Sequence, residues 1–325
     1  MKTNISKFQD AIRTSGLEPP AFIETGRLHR FPGIGKRPGN RAGWCKLFED
    51  ARGGCFGDWS SGFTEHWQAK QTRPLSKSER DTFTRRIKAE REKNEAQLQT
   101  RQNEAANKAQ AIWHRSTTTN HDHPYLIRKK INPNGARLYK EVLVLPVMNF
   151  NTKLTSLQFI DSNGQKRLLS GGRKTGCFIP IPKTDFFSFD SIFGSQSSSG
   201  KSSAYCADIA YSHNEIKTLR IIISEGWATA CTLAEHEPNA WVLAAIDAGN
   251  LKTVALEARK RWPHSEIIIA GDDDRLTPGN PGVTKARLAA TSADALLALP
   301  QWPENAPDTL TDFNDLATWL TGDHL

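Results

Sequence analysis

The chain has 325 residues, enough for two or three packed domains, and 38% are hydrophobic, so buried cores are available. Its formal charge of +8 points to a polyanionic partner, nucleic acid before anionic membrane. No apolar run reaches bilayer length, no apolar signal core opens the chain, and five scattered cysteines make no disulfide framework, so a soluble cytoplasmic protein without a membrane partner is expected.

Residues 1–72 form a small β-rich module. An amphipathic helix, Ile5 to Ser15, precedes short β-like pieces at Gly43–Glu49 and Gly54–Trp59, separated by glycine-containing turns. At Pro74 the composition changes, and 73–116 reads as a long charged helix spacing two domains. Ser76 and Glu79 supply a capping-box pattern at its start, and too few apolar residues follow for a coiled-coil seam. Residues 117–215 alternate apolar pieces, Glu141–Val147 and Leu154–Ile160, with turns such as Asp161-Ser162-Asn163-Gly164, and end in a serine-rich loop over 188–203. From 216 to 325 the period changes. Strands at Leu219–Ser224, Trp241–Ile246, Glu266–Gly271 and Ala295–Leu299 alternate with helices at Trp227–Glu235, Leu251–Arg261 and Val283–Ala293. Strands apolar throughout, interleaved with helices, predict an α/β fold with a parallel sheet covered on both faces.

Acidic residues fall where such a sheet places chemistry. Glu225 follows the first of these strands, Asp272, Asp273 and Asp274 follow the third, and Asp312 and Asp315 lie in the string DFNDL beyond the last. One reading is helix capping and turn formation. The other is convergence: carboxylates gathered at one sheet edge repel unless a cation intervenes, and oxygen-only ligands select Mg²⁺ or Mn²⁺. Three clusters at successive strand ends favour convergence.

At these residues the sequence resembles the TOPRIM family. SEGWATACTL resembles its Glu-Gly motif, IIIAGDDDR its Asp-x-Asp motif, and AAIDAGNL and DFNDL resemble strings of phage and plasmid TOPRIM primases, with Asp247 where serine is common. The resemblance covers about 217–317. It implies that Glu225, Asp272 and Asp274 hold the catalytic metal or transfer protons, that Asp273 points elsewhere, and that Asp312 is a further candidate metal ligand.

Upstream, VLVLPVMNFNTKLTSLQFIDSNGQKRLLSGGRKTG resembles the basic region of DnaG-type primases, and HPYLIRKKI resembles the start of that unit. The resemblance implies a basic α+β subdomain in which Arg128, Lys166, Arg167, Arg173 and Lys174 neutralise triphosphate and template phosphates; the alternative is a solvated basic hairpin. In the first 72 residues Arg30, Arg37 and Arg41 are interleaved with Trp44 and Trp59, a mixture suited to single-stranded DNA, although the tryptophans could equally form a core. DnaG-type primases carry a zinc ribbon here. This chain offers Cys45, Cys55, His29 and His66 without a paired-ligand motif, so zinc is not expected and the module resembles a metal-free relative of the ribbon. The string GSQSSSGKSS imitates a phosphate-binding loop, but five residues separate Gly194 from Gly200 instead of four and no buried strand precedes it.

The resulting expectation is a DNA primase making short RNA primers on single-stranded DNA from ribonucleoside triphosphates, with a separate replicative helicase, for a plasmid or phage. The alternatives are a TOPRIM nuclease and a non-catalytic DNA-binding replication factor.

Overall fold

The computed structural model describes residues 3–61, 63–69, 77–182 and 219–322. The serine-rich loop with GSQSSSGKSS and the Ser76 end of the capping box lie outside the described residues. The chain divides into two compact units, Met1–Ala89 and Glu90–Leu325.

In the first unit, α1 (Asn4–Thr14) starts at Thr3, whose hydroxyl accepts the Ser6 N–H. It packs Phe8 and Ile12 onto an antiparallel sheet of β1 (Leu28–Phe31), β2 (Gly43–Leu47), β3 (Gly53–Asp58) and β4 (Phe63–Gln68), in that spatial order. Directly opposed residues share a face. Cys45, Leu47 and Phe56 therefore join Phe8 in the core, while Arg30, Trp44, Lys46 and Cys55 line the other face. Register thus separates His29 and Cys45 from Cys55 and His66. Burial pushes the Cys45 thiol up to about 12, which fits a core side chain.

Helix α2 (Lys77–Arg115) crosses the division between the units. Its last turns are not a solvated spacer. Ala105, Ala109 and Trp113, four residues apart, form a buried stripe. Ala109 and Trp113 pack against Val144, Leu154 and Leu157.

The second unit holds two five-stranded sheets. The first orders β5 (Thr117–Thr118), β6 (Arg137–Tyr139), β7 (Val142–Met148), β8 (Leu154–Ile160) and β9 (Lys166–Leu168) as an antiparallel meander, with α3 (Pro124–Lys129) between β5 and β6. The β8–β9 turn is the expected one: Asp161 accepts the Asn163 and Gln165 N–H groups, and Gly164 takes φ +84°, which glycine adopts without strain.

The second sheet comprises β10 (Ile179–Pro180), β11 (Arg220–Ser224), β12 (Trp241–Ala244), β13 (Glu266–Ala270) and β14 (Leu296–Ala298), ordered β10-β12-β11-β13-β14. All of its pairings are parallel except that of β10, an antiparallel edge strand the sequence did not reveal. Helices α4 (Trp227–His236), α5 (Ala248–Arg261), α6 (Pro281–Ser292) and α7 (Phe313–Leu320) accompany it. Ile222 faces a core that includes Trp227 and extends to Leu143 and Val147 of β7, so the two sheets share one interior. Ile221, Ile223, Ile267 and Ile269 face the other core, with Leu251 and Ala286. Burial on both faces is why these strands read as continuous apolar runs.

Candidate functional site

Strand register assembles the site. Ser224, the last residue of β11, pairs with Ala244 of β12 on one side and Ala270 of β13 on the other. The three strands are parallel and end level, so the residues after each emerge at one sheet edge. These are Glu225, then Asp247 at the N-cap of α5, then Asp272 to Asp274 before α6. The β12–α5 connection passes through Ile246 at φ +79°, a conformation that a β-branched residue adopts only under strain. It delivers the Ala248 N–H to the Glu225 carboxylate.

The charges of this edge act on one another. Burial pushes the Asp272 carboxyl up to about 8, assisted by Glu225, Asp312 and Asp274. Glu225 is raised by burial and by Asp274 and Asp247, against the pull of the Ala248 hydrogen bond and Lys166. Lys166 lies on an exposed edge strand, yet its ammonium ion reaches in among these groups. Burial and Lys129 lower its pKa, and Asp312, Asp272 and Glu225 oppose them. Its Nζ lies 3.8 Å from where a Cβ on Gly226 would stand. Glu225, Asp272, Asp274, Asp312 and Lys166 therefore face one cleft.

Asp272 Oδ1 is buried there without a hydrogen-bond partner. Among the described residues no three His, Cys, Asp or Glu side chains stand as a ready-made ligand set. The acids share a field without closing on a point. An orphaned carboxylate oxygen in an all-oxygen donor set nevertheless fits a hard divalent cation.

Within the acidic triplet, alternate residues do different work. Asp274 turns to α6, where its Oδ2 accepts the Gly282 N–H at 2.9 Å. A Cβ on Gly282 would stand 2.4 Å from the Asp272 carbonyl oxygen, so only glycine permits this approach. Asp273 points away from the cleft and accepts from Asn280 Nδ2 at 2.7 Å and Trp302 Nε1 at 2.9 Å. Arg275 continues that side: its guanidinium lies 4.7 Å over Trp302 and binds Asp308 and the Pro307 carbonyl. These contacts fasten the segment leading to DFNDL.

In DFNDL the three polar residues also separate. Asp312 caps α7 by accepting the Asp315 N–H at 2.9 Å, and still faces the cleft. Asp315 is occupied by Lys129 Nζ at 3.1 Å and the Thr311 N–H at 3.1 Å. Asn314, 2% exposed, donates to the Lys129 carbonyl at 2.7 Å and Thr232 Oγ1 at 2.9 Å, tying α3 and α4 to α7. Asn314 and Lys129 were not singled out from sequence for these contacts; a buried asparagine beside two acids carries no distinctive spacing.

Of the other basic candidates, Lys174 pairs with Asp247 at 2.6 Å, which brings it to the same edge. Arg173 is its exposed neighbour, its Nε bonded to the Thr175 carbonyl. Arg128 instead holds the β8–β9 turn, donating to the Ser162 carbonyl at 3.1 Å and lying over the Tyr125 ring. Arg167 is exposed on β9. Among the described residues, the hydrogen bonds of Arg128 run to the β8–β9 turn and not to the carboxylates.

The first unit carries a separate patch. Trp44 and Trp59 stack at 5.6 Å, the Arg30 guanidinium lies 4.1 Å over Trp59, and Arg30 also binds the Arg41 carbonyl. Trp59 is 50% exposed, and Arg37 and Arg41 are exposed nearby in sequence. Trp59 is therefore a surface residue of the module and Trp44 is half-buried, while Phe8, Phe31 and Phe56 fill its core. No helix among the described residues is long and apolar enough to cross a membrane.

Residues 220–319 match the Toprim domain family. Two proteins named DNA primase TraC, from Escherichia coli, are similar to the chain. One is 28% identical over 305 residues, covering 90% of this chain and 25% of that protein. The other is 32% identical over 184 residues, covering 54% and 11%. The chain thus spans a quarter or less of the length of these relatives. The primase fragment of the bacteriophage T7 primase-helicase protein aligns at 10% identity over 90% of this chain and 95% of that one, with a TM-score of 0.38. The DnaG primase catalytic domain bound to ssDNA aligns at 14% over 61% and 54%, with a TM-score of 0.29. Both likenesses are too weak to bear on function. The strand-end acids thus fall within residues 220–319, the stretch that matches the Toprim domain family, in a chain that is similar to the DNA primase TraC over 90% of its own length.

Proposed function

We propose that this chain is a DNA primase that joins ribonucleoside triphosphates into short RNA primers on a single-stranded DNA template, in the service of a plasmid or phage. The observation that carries the reading is the arrival of Glu225 and the Asp272–Asp274 segment at one sheet edge from level parallel strands, with Asp272 Oδ1 buried there and without a hydrogen-bond partner. Homology to a protein named a primase supports it.

In this reading Glu225, Asp272 and Asp274 hold Mg²⁺ or Mn²⁺, with Asp312 beside them. Bound there, the ion would shield the triphosphate and acidify the attacking hydroxyl. The chain's own residues do the rest. Glu225, at the end of β11, is the carboxylate placed either to hold that ion or, alternatively, to take the proton of the 3′-hydroxyl as its oxygen attacks the α-phosphorus and pyrophosphate leaves. Lys166 offers a cation to the phosphates from across the cleft, with Lys174 and Arg173 flanking. Exposed Trp59, backed by Trp44 and Arg30, offers the template a stacking surface. A separate replicative helicase is the further partner of this proposal.

The test is direct. The chain is incubated with single-stranded DNA, labelled ribonucleotides and Mg²⁺ or Mn²⁺. Short labelled oligonucleotides support the reading, provided Glu225→Gln abolishes them and leaves DNA binding nearly intact. Shortened DNA instead indicates a nuclease, and a gel shift without chemistry indicates a binding factor. Either outcome overturns the primase assignment.

A further inference from the structure

Asn250 lies in the first turn of α5, 2% exposed, and uses its whole amide on backbone groups. Its Oδ1 accepts the Gly176 N–H at 2.9 Å. Its Nδ2 donates to the Cys177 carbonyl at 2.8 Å, the Ala245 carbonyl at 2.9 Å and the Lys174 carbonyl at 3.2 Å. Three of the four partners belong to one turn, 174–177, which lies more than 70 residues upstream. The fourth lies at the end of β12, on the connection that presents Ala248 N–H to Glu225.

Asn250 therefore adds a side-chain tie between the basic turn and the acidic edge, beside the β10–β12 pairing that follows the turn. Ile246, held at φ +79°, leaves that connection little freedom to compensate. On the turn, Lys174 meets Asp247 at 2.6 Å in a half-exposed pair. A pair of that exposure contributes little, so an incoming phosphate can take the ammonium ion from Asp247 at small cost.

We propose that Asn250 is a positioning residue that holds Arg173 and Lys174 as the phosphate-receiving side of the site whose acidic side is Glu225. The proposal rests on the nucleotide-handling reading above and deepens it. It assigns triphosphate recognition to the 173–177 turn and its registration to an uncharged residue that touches no nucleotide.

The test uses the full chain and Mg·ATP binding by calorimetry, so it does not depend on primer synthesis. Asn250→Asp keeps the acceptor for Gly176 but sets a carboxylate against three carbonyl oxygens. It should weaken Mg·ATP about tenfold, a coupling of about 1.4 kcal/mol. In a variant already lacking both cations, Arg173→Ala with Lys174→Ala, adding Asn250→Asp should cost almost nothing more. A purely structural asparagine would give the same loss in both backgrounds, and that additivity would overturn the proposal. Hydrogen exchange of the wild-type Gly176 amide judges it even if the variants fail to fold: slow exchange is expected, and exchange at the rate of an open loop refutes the staple. A wild-type chain that does not bind Mg·ATP also refutes it. One that binds Mg·ATP but makes no primer overturns the primase reading alone.

Discussion

The raised carboxyl of Asp272 makes a prediction about stability that needs no catalytic assay. Asp272→Asn replaces an ionisable group by a neutral one of the same shape. In the folded chain the carboxyl titrates at about 8 against an ordinary 3.8, chiefly through burial and then Glu225, Asp312 and Asp274. Between those values the folded state holds a proton that the unfolded state has released, so stability falls as pH rises through the window. The slope is about 1.4 kcal/mol per pH unit, so roughly three units, from pH 5 to 8, remove up to about 4 kcal/mol. Partial solvation and movement of Lys166 reduce this to about 2 kcal/mol, or roughly 4–8 °C in Tm for a unit of this size. The assay is thermal melting of wild type and variant in EDTA at pH 5 and pH 8. Between pH 5 and pH 8 the wild type should lose those degrees relative to the variant, whose own pH dependence should be correspondingly flatter. Excess Mg²⁺ should restore the wild type at pH 8 and leave the variant largely unmoved, because an ion that binds only the folded state stabilises it by mass action. Equal pH dependence of the two proteins in EDTA would refute the electrostatic account of the cleft.

Three further outcomes follow from the same geometry. Lys166→Met removes the cation that lowers Asp272 and Glu225, so the acidic limb of the primer-synthesis pH profile should move to higher pH; an unmoved limb would place Lys166 outside the cleft. Asn314→Ala strands the Lys129 carbonyl and leaves the Thr232 hydroxyl only its bond to the Ala228 carbonyl, and should cost about 1–3 kcal/mol in urea unfolding, whereas a surface-like loss below about 0.5 kcal/mol would contradict the bridging role. Trp59→Ala should weaken binding of a fluorescent oligothymidylate about tenfold, within the ~1–3 kcal/mol of a stacked base, with Trp59→Phe restoring most of it; unchanged affinity would remove the patch from the interface.

The contrast between residues legible in the sequence and those that were not has a physical basis. The isoleucine runs of β11 and β13, buried on both faces, and the helices between them were evident because a covered parallel sheet leaves a continuous apolar signal. That signal also located Glu225 and Asp272, since chemistry in such sheets follows the strand ends. The buried stripe of Ala105, Ala109 and Trp113 was harder to see, because alanines in a charged helix look solvated until a sheet is laid against them.

What the sequence determined by itself was local: element types, the α/β period of residues 216–325, the acidic residues at its strand ends, and the basic character of the segment before it. Which acids share a field was decided by tertiary structure. Level parallel strands bring Glu225 to Asp272, while hydrogen bonds to Trp302 and Asn280 turn Asp273 away and Lys129 occupies Asp315. The same holds for Asn250 and Asn314, whose partners lie far along the chain. A strand or helix records its environment in the spacing of neighbouring residues, whereas a single buried amide records nothing until the fold brings its partners to it.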